Sequence, residues 1–287
     1  MLTASDSLPP VLLLGMHRSG TSLLSRMLSE LGLFVGEDLQ DDHEPVFFIR
    51  GNNWLLRQGQ ATWDYPVRFR SAVADPSFRT RLVERLPSRL TGKRLCQYIG
   101  ARHEREFRQH HALSFPWGWK DPRNTYTLPV WREIYPEARI IHITRHVVDV
   151  AHSLVLRERP AWQQMKSWVK AATLVWPRDA DGKRVSPTRC TTLHGAFSLW
   201  EEYMCEARRD VSELGNRACE VSYEAFLEEP VPVLEKLCHF IGLPFETGRI
   251  THGIRSIDRH RAYAYRRDPG LSAYADSVRG RLTEQGY

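Results

Sequence analysis

The 287-residue chain has no long hydrophobic run, no internal repeat, no low-complexity tract and no block of lysine and arginine. Its leading apolar stretch, Val11-Leu12-Leu13-Leu14, is about four residues long and follows no positively charged segment. That is too short for a signal peptide or a membrane-spanning helix. A soluble, cytoplasmic protein without stable membrane insertion is expected. Cysteine is sparse: Cys96, Cys190, Cys205, Cys219 and Cys238 are odd in number and form no C-x-x-C pair. Free thiols in a reducing compartment follow, rather than a disulfide framework. His110-His111, His252 and His260 lack metal-ligand spacing to acidic or cysteine partners, so no metal site is expected.

What is present is enough for one large α/β domain over residues 1–287. Hydrophobic residues make up 42% and aromatics 10%, which is ordinary for a globular core. The formal charge is +6. A basic balance favours anionic partners such as nucleotides, sulfated or phosphorylated sugars, nucleic acid or membrane surfaces, although a solvated arginine-rich surface gives the same number. The arginines are dispersed, which counts against a dedicated nucleic-acid face.

The most informative stretch is Gly15-Met16-His17-Arg18-Ser19-Gly20-Thr21-Ser22, directly after Val11–Leu14. It has the glycine spacing of a phosphate-binding loop, but Thr21 stands where the nucleotide-triphosphatase signature requires lysine. Arg18 supplies a cation inside the loop instead. Leu23, Leu24, Met27, Leu28 and Leu31 then recur at helical spacing until Gly32. A strand, a glycine-containing turn and a helix N-terminus together converge amide N–H groups on an anion. Thr21 and Ser22 can add hydroxyl donors, and the Arg18 guanidinium can fork onto oxygens.

Further along, a helix is expected over Ile49–Gln58, and helices and loops from about residue 61 to 115. Trp117-Gly118-Trp119-Lys120-Asp121-Pro122 predicts a strand entering a loop, because Pro122 biases Asp121 away from helix. A short helix over Leu128–Tyr135 and a second strand over Ala138–Thr144 follow, then a helix over Val147–Val155. Trp162, Met165, Trp168, Val169, Ala172 and Trp176 form a stripe of packing character. Phe197–Val211 reads as helix, Ala218–Ser222 as strand and Val233–Ile241 as a helix ending at Gly242. Strands alternating with helices predict a three-layer sandwich, with a central parallel sheet covered on both faces and a helical insertion facing the substrate. The second strand ends in Thr144-Arg145 rather than in the aspartate that a magnesium site needs, so a second phosphate is expected there.

On these residues the chain resembles the sulfotransferases that use 3′-phosphoadenosine 5′-phosphosulfate. The resemblance is carried by motifs that occur in the family's order between residue 11 and about 244. His17-Arg18-Ser19-Gly20-Thr21-Ser22 matches the family's loop for the 5′-phosphosulfate. Arg145 and Ser153 match the R-x7-S segment for the 3′-phosphate, and Arg157 matches a further 3′-phosphate arginine of protein-tyrosine sulfotransferases. Trp119-Lys120-Asp121-Pro122 resembles the K-D-P element whose lysine contacts the donor's bridging oxygen. Val221-Ser222-Tyr223-Glu224, followed by Pro230, resembles the late strand whose tyrosine lies near the adenine. The family's G-x-x-G-x-x-K close is missing; Arg266 and Arg267 are candidates for that contact.

The resemblance implies a P-loop-like fold and in-line sulfuryl transfer without a metal, leaving adenosine 3′,5′-bisphosphate. It assigns residues 8–60 and 116–244 to the nucleotide-binding core, and 61–115 and 158–195 to substrate-facing insertions. The acceptor must lose a proton, and Glu44, ahead of Val46-Phe47-Phe48, resembles an E-x-x-F-F element of heparan-type enzymes. His43 and Glu37 are the other candidate bases. Hydroxyls of carbohydrates, glycolipids and natural products all remain open as acceptors. Trp54, Trp63, Tyr65, Phe69, Trp117 and Trp119 could stack on such a ligand or belong to the core. Two rival readings stand: a P-loop kinase or nucleotide hydrolase, and a relative that binds nucleotide or glycan without catalysis.

Overall fold

The computed structural model describes residues 8–164 and 188–287. Four parallel strands form its sheet in the order β2-β1-β3-β4: β1 Val11–Leu14, β2 Gly118–Lys120, β3 Arg139–Thr144 and β4 Ala218–Ser222. Leu12 pairs with Trp119 on one side and with Ile140 on the other, so β1 is central. Its four apolar residues are all buried, as a strand covered on both faces requires.

The alternation of side chains sorts the core into two layers. Leu12, Leu14 and Ile140 point to one side. There they meet α2 (Val46–Gln58), α6 (Asn124–Ile134), α7 (Val147–Gln164) and the helix Leu193–Leu214. Val11, Leu13, Ile141 and Ile143 point to the other, against α1 (Thr21–Glu30) and the helix Pro230–Ile241. This is the expected sandwich. The segment after α2 folds into α3 (Val67–Val73), α4 (Pro76–Arg89) and α5 (Lys93–His110).

Several boundaries differ from the sequence reading. Helix α2 begins at Val46, immediately after Pro45, rather than at Ile49. Helix α6 begins at Asn124, four residues ahead of the apolar run at Leu128. Its first turn is polar yet buried, because Asn124 and Thr127 are hydrogen-bonded inside the protein. Helix α7 runs on to Gln164. Met165, Trp168, Val169, Ala172 and Trp176 of the expected stripe lie outside the described residues, as does most of the 158–195 insertion. Trp117, Trp119 and Phe69 belong to the core, whereas Trp54 and Trp63 are half-buried and Tyr65 is exposed. All five cysteines are free. Among the described residues no helix is long and apolar enough to cross a membrane.

Candidate functional site

The carboxyl ends of β1, β2 and β3 open into one cleft of about 390 Å³. In open α/β sheets ligands bind at this end, where the strand order reverses, and here β1 is flanked by β2 and β3. The loop after β1 supplies one wall. Arg18 takes a left-handed conformation with φ of 72°, and Gly20 follows at φ 91°. Gly20 caps α1 without any side-chain hydrogen bond, so the first-turn amides keep their donors for a ligand. A Cβ at Gly20 would land inside the Tyr223 ring, so glycine is required twice over, by φ and by space. The Oγ of Ser19 and Nε2 of His17 are buried in the loop without a partner. The Ser19 hydroxyl can donate to an anion, and His17 Nε2 can do so in the tautomer that carries its proton there.

The second wall comes from β3 and α7. Arg145 donates from Nη1 to the Arg18 carbonyl and from Nη2 to the Arg261 carbonyl, each at 3.1 Å. Its guanidinium carbon lies 4.7 Å from the Tyr223 ring centre. Arg18 Nε donates to Ser153 Oγ at 2.9 Å. The loop arginine and the R-x7-S pair, far apart in sequence, therefore form one cluster. Arg157 lies over Trp63 at 5.3 Å, and Trp63 packs on His17 at 4.5 Å between ring centres. Burial, then the charges of Arg123, Arg157, Lys120 and Arg18, hold the His17 imidazole well below its ordinary value. It is a neutral ring among cations.

The third wall is a buried polar network ending β2. Lys120 Nζ donates to Ser22 Oγ at 3.2 Å, the Asp42 carbonyl at 2.7 Å and Glu44 Oε1 at 2.9 Å. Arg123 reaches Glu44 Oε2 at 3.2 Å and Asp121 Oδ1 at 2.8 Å. Asn52 holds Asp121 Oδ2 at 2.8 Å and accepts from Thr127 and Trp131. Burial alone would raise the Glu44 carboxyl; Lys120 and Arg123 outweigh it and keep the group below its usual range. Asp42 shifts the opposite way, raised by burial and by the charge of Glu44.

The other candidates fall as follows. His43 has φ of 59° and an Nδ1 that is buried without a partner, and burial lowers its imidazole. Glu37 packs beside Gly100 of α5, outside the cleft lining. Arg266 stacks on Tyr263 at 4.2 Å and lines a different cavity, with His146 and Tyr287. Arg267 bonds the His260 carbonyl. The cleft is instead completed by two arginines that the sequence reading missed, Arg26 and Arg261. Arg26 could have been found, since it stands one helical turn beyond Ser22. Arg261 carries no local signal. Its segment is docked through the following turn, where Asp149 accepts from the Ala264 and Tyr265 amides at 3.0 and 2.8 Å.

A family model described as "Sulfotransferase family" matches residues 9–247. Among solved structures, the chain is similar to the sulfotransferase domain from the curacin biosynthetic pathway. The identity is 16% and the TM-score 0.50, over 95% of this chain and 98% of that one. It is similar also to the sulfotransferase domain of the Synechococcus PCC 7002 olefin synthase, at 16% identity, TM-score 0.44 and coverage of 91% and 85%. Sulfotransferase STF9 from Mycobacterium avium matches at 13% identity, TM-score 0.45 and coverage of 96% and 78%. No curated protein matches. The family match takes in the anion loop, the β2 lysine and the β3 arginine, and with them the chain belongs to the sulfotransferase family.

Proposed function

We propose that the chain transfers a sulfuryl group from 3′-phosphoadenosine 5′-phosphosulfate to a hydroxyl of a carbohydrate, glycolipid or natural-product acceptor, by in-line displacement and without a metal. The observation that carries this reading is the convergence of Arg18, Lys120, Arg145 and Arg157 on one cleft beside an uncapped helix N-terminus. The orphaned Ser19 hydroxyl and His17 nitrogen fit an anion-bearing donor. When bound, the nucleotide supplies an activated sulfuryl group and a phosphate leaving group.

The chain's own residues then divide the work. His17 to Ser22 hold the 5′ end, and Arg145, Ser153 and Arg157 the 3′-phosphate, with Tyr223 packed between the loop and Arg145. Lys120 carries a fixed positive charge beside Ser22, where negative charge would build on the leaving oxygen. Such preorganised donors contribute about 3 kcal/mol each to catalysis. Glu44 is an ionised carboxylate next to that charge and is the preferred acceptor of the hydroxyl proton, ahead of His43 and Glu37. Residues 8–60 and 116–244 form the nucleotide core in this reading. Residues 61–115 and 158–195 are assigned to the acceptor side in this reading, with 165–187 lying outside the described residues.

Calorimetry with adenosine 3′,5′-bisphosphate and with ATP tests the donor. Tighter binding of the bisphosphate, and magnesium-independent transfer of labelled sulfate across an acceptor panel, is expected. Tighter ATP binding would establish the kinase or hydrolase reading. Bisphosphate binding without transfer to any acceptor would establish a binding protein.

A further inference from the structure

Trp63 stands near the start of the 61–115 segment, yet its ring contacts two residues of the proposed donor site. The His17 ring packs on it at 4.5 Å between centres, tilted by 59°. The Arg157 guanidinium carbon lies over the same ring at 5.3 Å. His17 belongs to the loop after β1 and Arg157 to α7, so one indole joins two walls of the cleft.

The turn that carries Trp63 is fixed independently of either neighbour. Its ends meet, the Tyr65 amide donating to the Thr62 carbonyl at 3.1 Å. The Thr62 hydroxyl donates to the buried Asp64 carboxylate at 2.8 Å. The Tyr203 hydroxyl, from the helix Leu193–Leu214, donates to the Trp63 carbonyl at 2.7 Å. Arg189 Nη1 donates to the next carbonyl, that of Asp64, at 3.3 Å. Arg189 is itself gripped by both oxygens of Glu202, at 3.0 and 2.6 Å. A short turn tied at two consecutive carbonyls holds its side chain as a rigid prop.

Both neighbours need one. Burial, and then the charges of Arg123, Arg157, Lys120 and Arg18, bear on the His17 imidazole, and the Tyr203 ring lies edge-on at 6.5 Å. An imidazolium there would be repelled by four cations, and aromatic surface that excludes water favours the neutral ring. A neutral imidazole carries a single N–H, so it serves an anion only when the ring is held in one orientation. Arg157 is exposed and is paired at Nε with Glu158 at 2.5 Å. Resting its guanidinium on an indole fixes the plane of an otherwise flexible cation.

We propose that Trp63 is a positioning residue of the donor site, one side chain that braces the 5′ end through His17 and the 3′ end through Arg157. The proposal rests on the sulfotransferase reading above. It moves Trp63 from the acceptor side, where its segment is assigned, to the donor side.

The first test is calorimetry with adenosine 3′,5′-bisphosphate, adenosine 5′-phosphate and adenosine 3′-phosphate. His17→Ala should weaken only the nucleotides that carry a 5′-phosphate, and Arg157→Ala only those that carry a 3′-phosphate. Trp63→Ala should weaken both kinds, the bisphosphate by about tenfold or more. Trp63→Phe, which keeps an aromatic face, should restore most of the loss. Unchanged affinities in Trp63→Ala, loss of one kind alone, or a phenylalanine variant as weak as the alanine one would overturn the proposal. The second test needs no ligand. In NMR titrations of the free protein, with the His17 signal identified by its loss in His17→Gln, wild-type His17 should stay neutral where exposed histidines titrate. In Trp63→Ala its midpoint should rise toward the ordinary 6.5, and in Trp63→Phe it should return. A midpoint that does not move overturns the bracing of His17. Failure of the wild type to bind the bisphosphate defeats the donor reading instead, and the titration of His17 then decides whether Trp63 braces the loop.

Discussion

Lys120 Nζ donates to Glu44 Oε1 at 2.9 Å at the floor of the cleft, and both side chains are almost wholly buried. The pair joins the end of β2 to the N-terminus of α2. It couples the lysine proposed to face the leaving oxygen with the carboxylate proposed to take the acceptor's proton. Arg123 on the far side of Glu44 prevents the carboxylate from depending on Lys120 alone.

Lys120→Ala therefore has two separable consequences. Removing one partner of a buried pair costs about 3–5 kcal/mol, and the lower end is expected because Arg123 remains. Transfer should fall by about a hundredfold or more, with bisphosphate affinity nearly intact. Urea unfolding reads the first effect, labelled-sulfate transfer the second and calorimetry the third. A variant that transfers at the wild-type rate refutes the role assigned to Lys120.

Acid should weaken the fold in two windows. Burial, followed by the charges of Arg266 and Arg145, pushes the His146 imidazole down to about 4 from an ordinary 6.5. The unfolded chain then takes up a proton near pH 6.5 that the folded chain refuses until about pH 4. Stability is complete above 6.5 and falls on the order of 3 kcal/mol as pH drops to about 4. His17 and His43 are displaced in the same direction and add to this window. Glu44 acts lower: its carboxyl is held below 4.5, so its contribution is present above that pH and is lost as pH falls through the folded value. Unfolding free energies measured from pH 7 to 4 should decline for the wild type and decline less for His146→Phe, which keeps the stack on Tyr265. An identical slope in the two proteins would show that His146 is not a source of the acid sensitivity.

How much of this was legible in the sequence depends on the range of the interactions. Val11–Leu14 announces a buried strand because both faces of a central strand must be apolar. His17 to Ser22 announce an anion loop because glycine spacing, a following helix and hydroxyls are all local. Helix α6 starts four residues ahead of its apolar run because Asn124, Thr125 and Thr127 are buried polar residues, and hydrophobic periodicity does not register them. Arg123 as a partner of Glu44 was invisible, since the contact spans 79 positions.

The contact between Gly20 and Tyr223 predicts a non-additive pair. Gly20→Ala meets two penalties, a left-handed φ and a collision with the Tyr223 ring. It should disrupt the loop and abolish bisphosphate binding. In a Tyr223→Ala background the collision is gone and only the conformational penalty of about 1 kcal/mol remains. A double-mutant cycle on unfolding free energy should therefore show Gly20→Ala costing less in the second background. Additive costs would mean that the ring does not rest on the glycine.

Arg145→Lys tests which end of the nucleotide this arginine serves. The guanidinium spans the Arg18 and Arg261 carbonyls with two nitrogens and covers the Tyr223 ring, while its Nε is buried without a partner. Lysine keeps the charge but cannot hold two carbonyls and an aromatic face from one plane. If Arg145 faces the 3′-phosphate, affinity for adenosine 3′,5′-bisphosphate should drop by about tenfold or more. Affinity for adenosine 5′-phosphate, which lacks that group, should change little. The preference of the wild type for the bisphosphate then collapses in the variant. If both nucleotides weaken by the same factor, Arg145 acts only by propping the Arg18 loop, and the 3′-phosphate must be held elsewhere, with Arg157 and Arg261 the next side chains to replace.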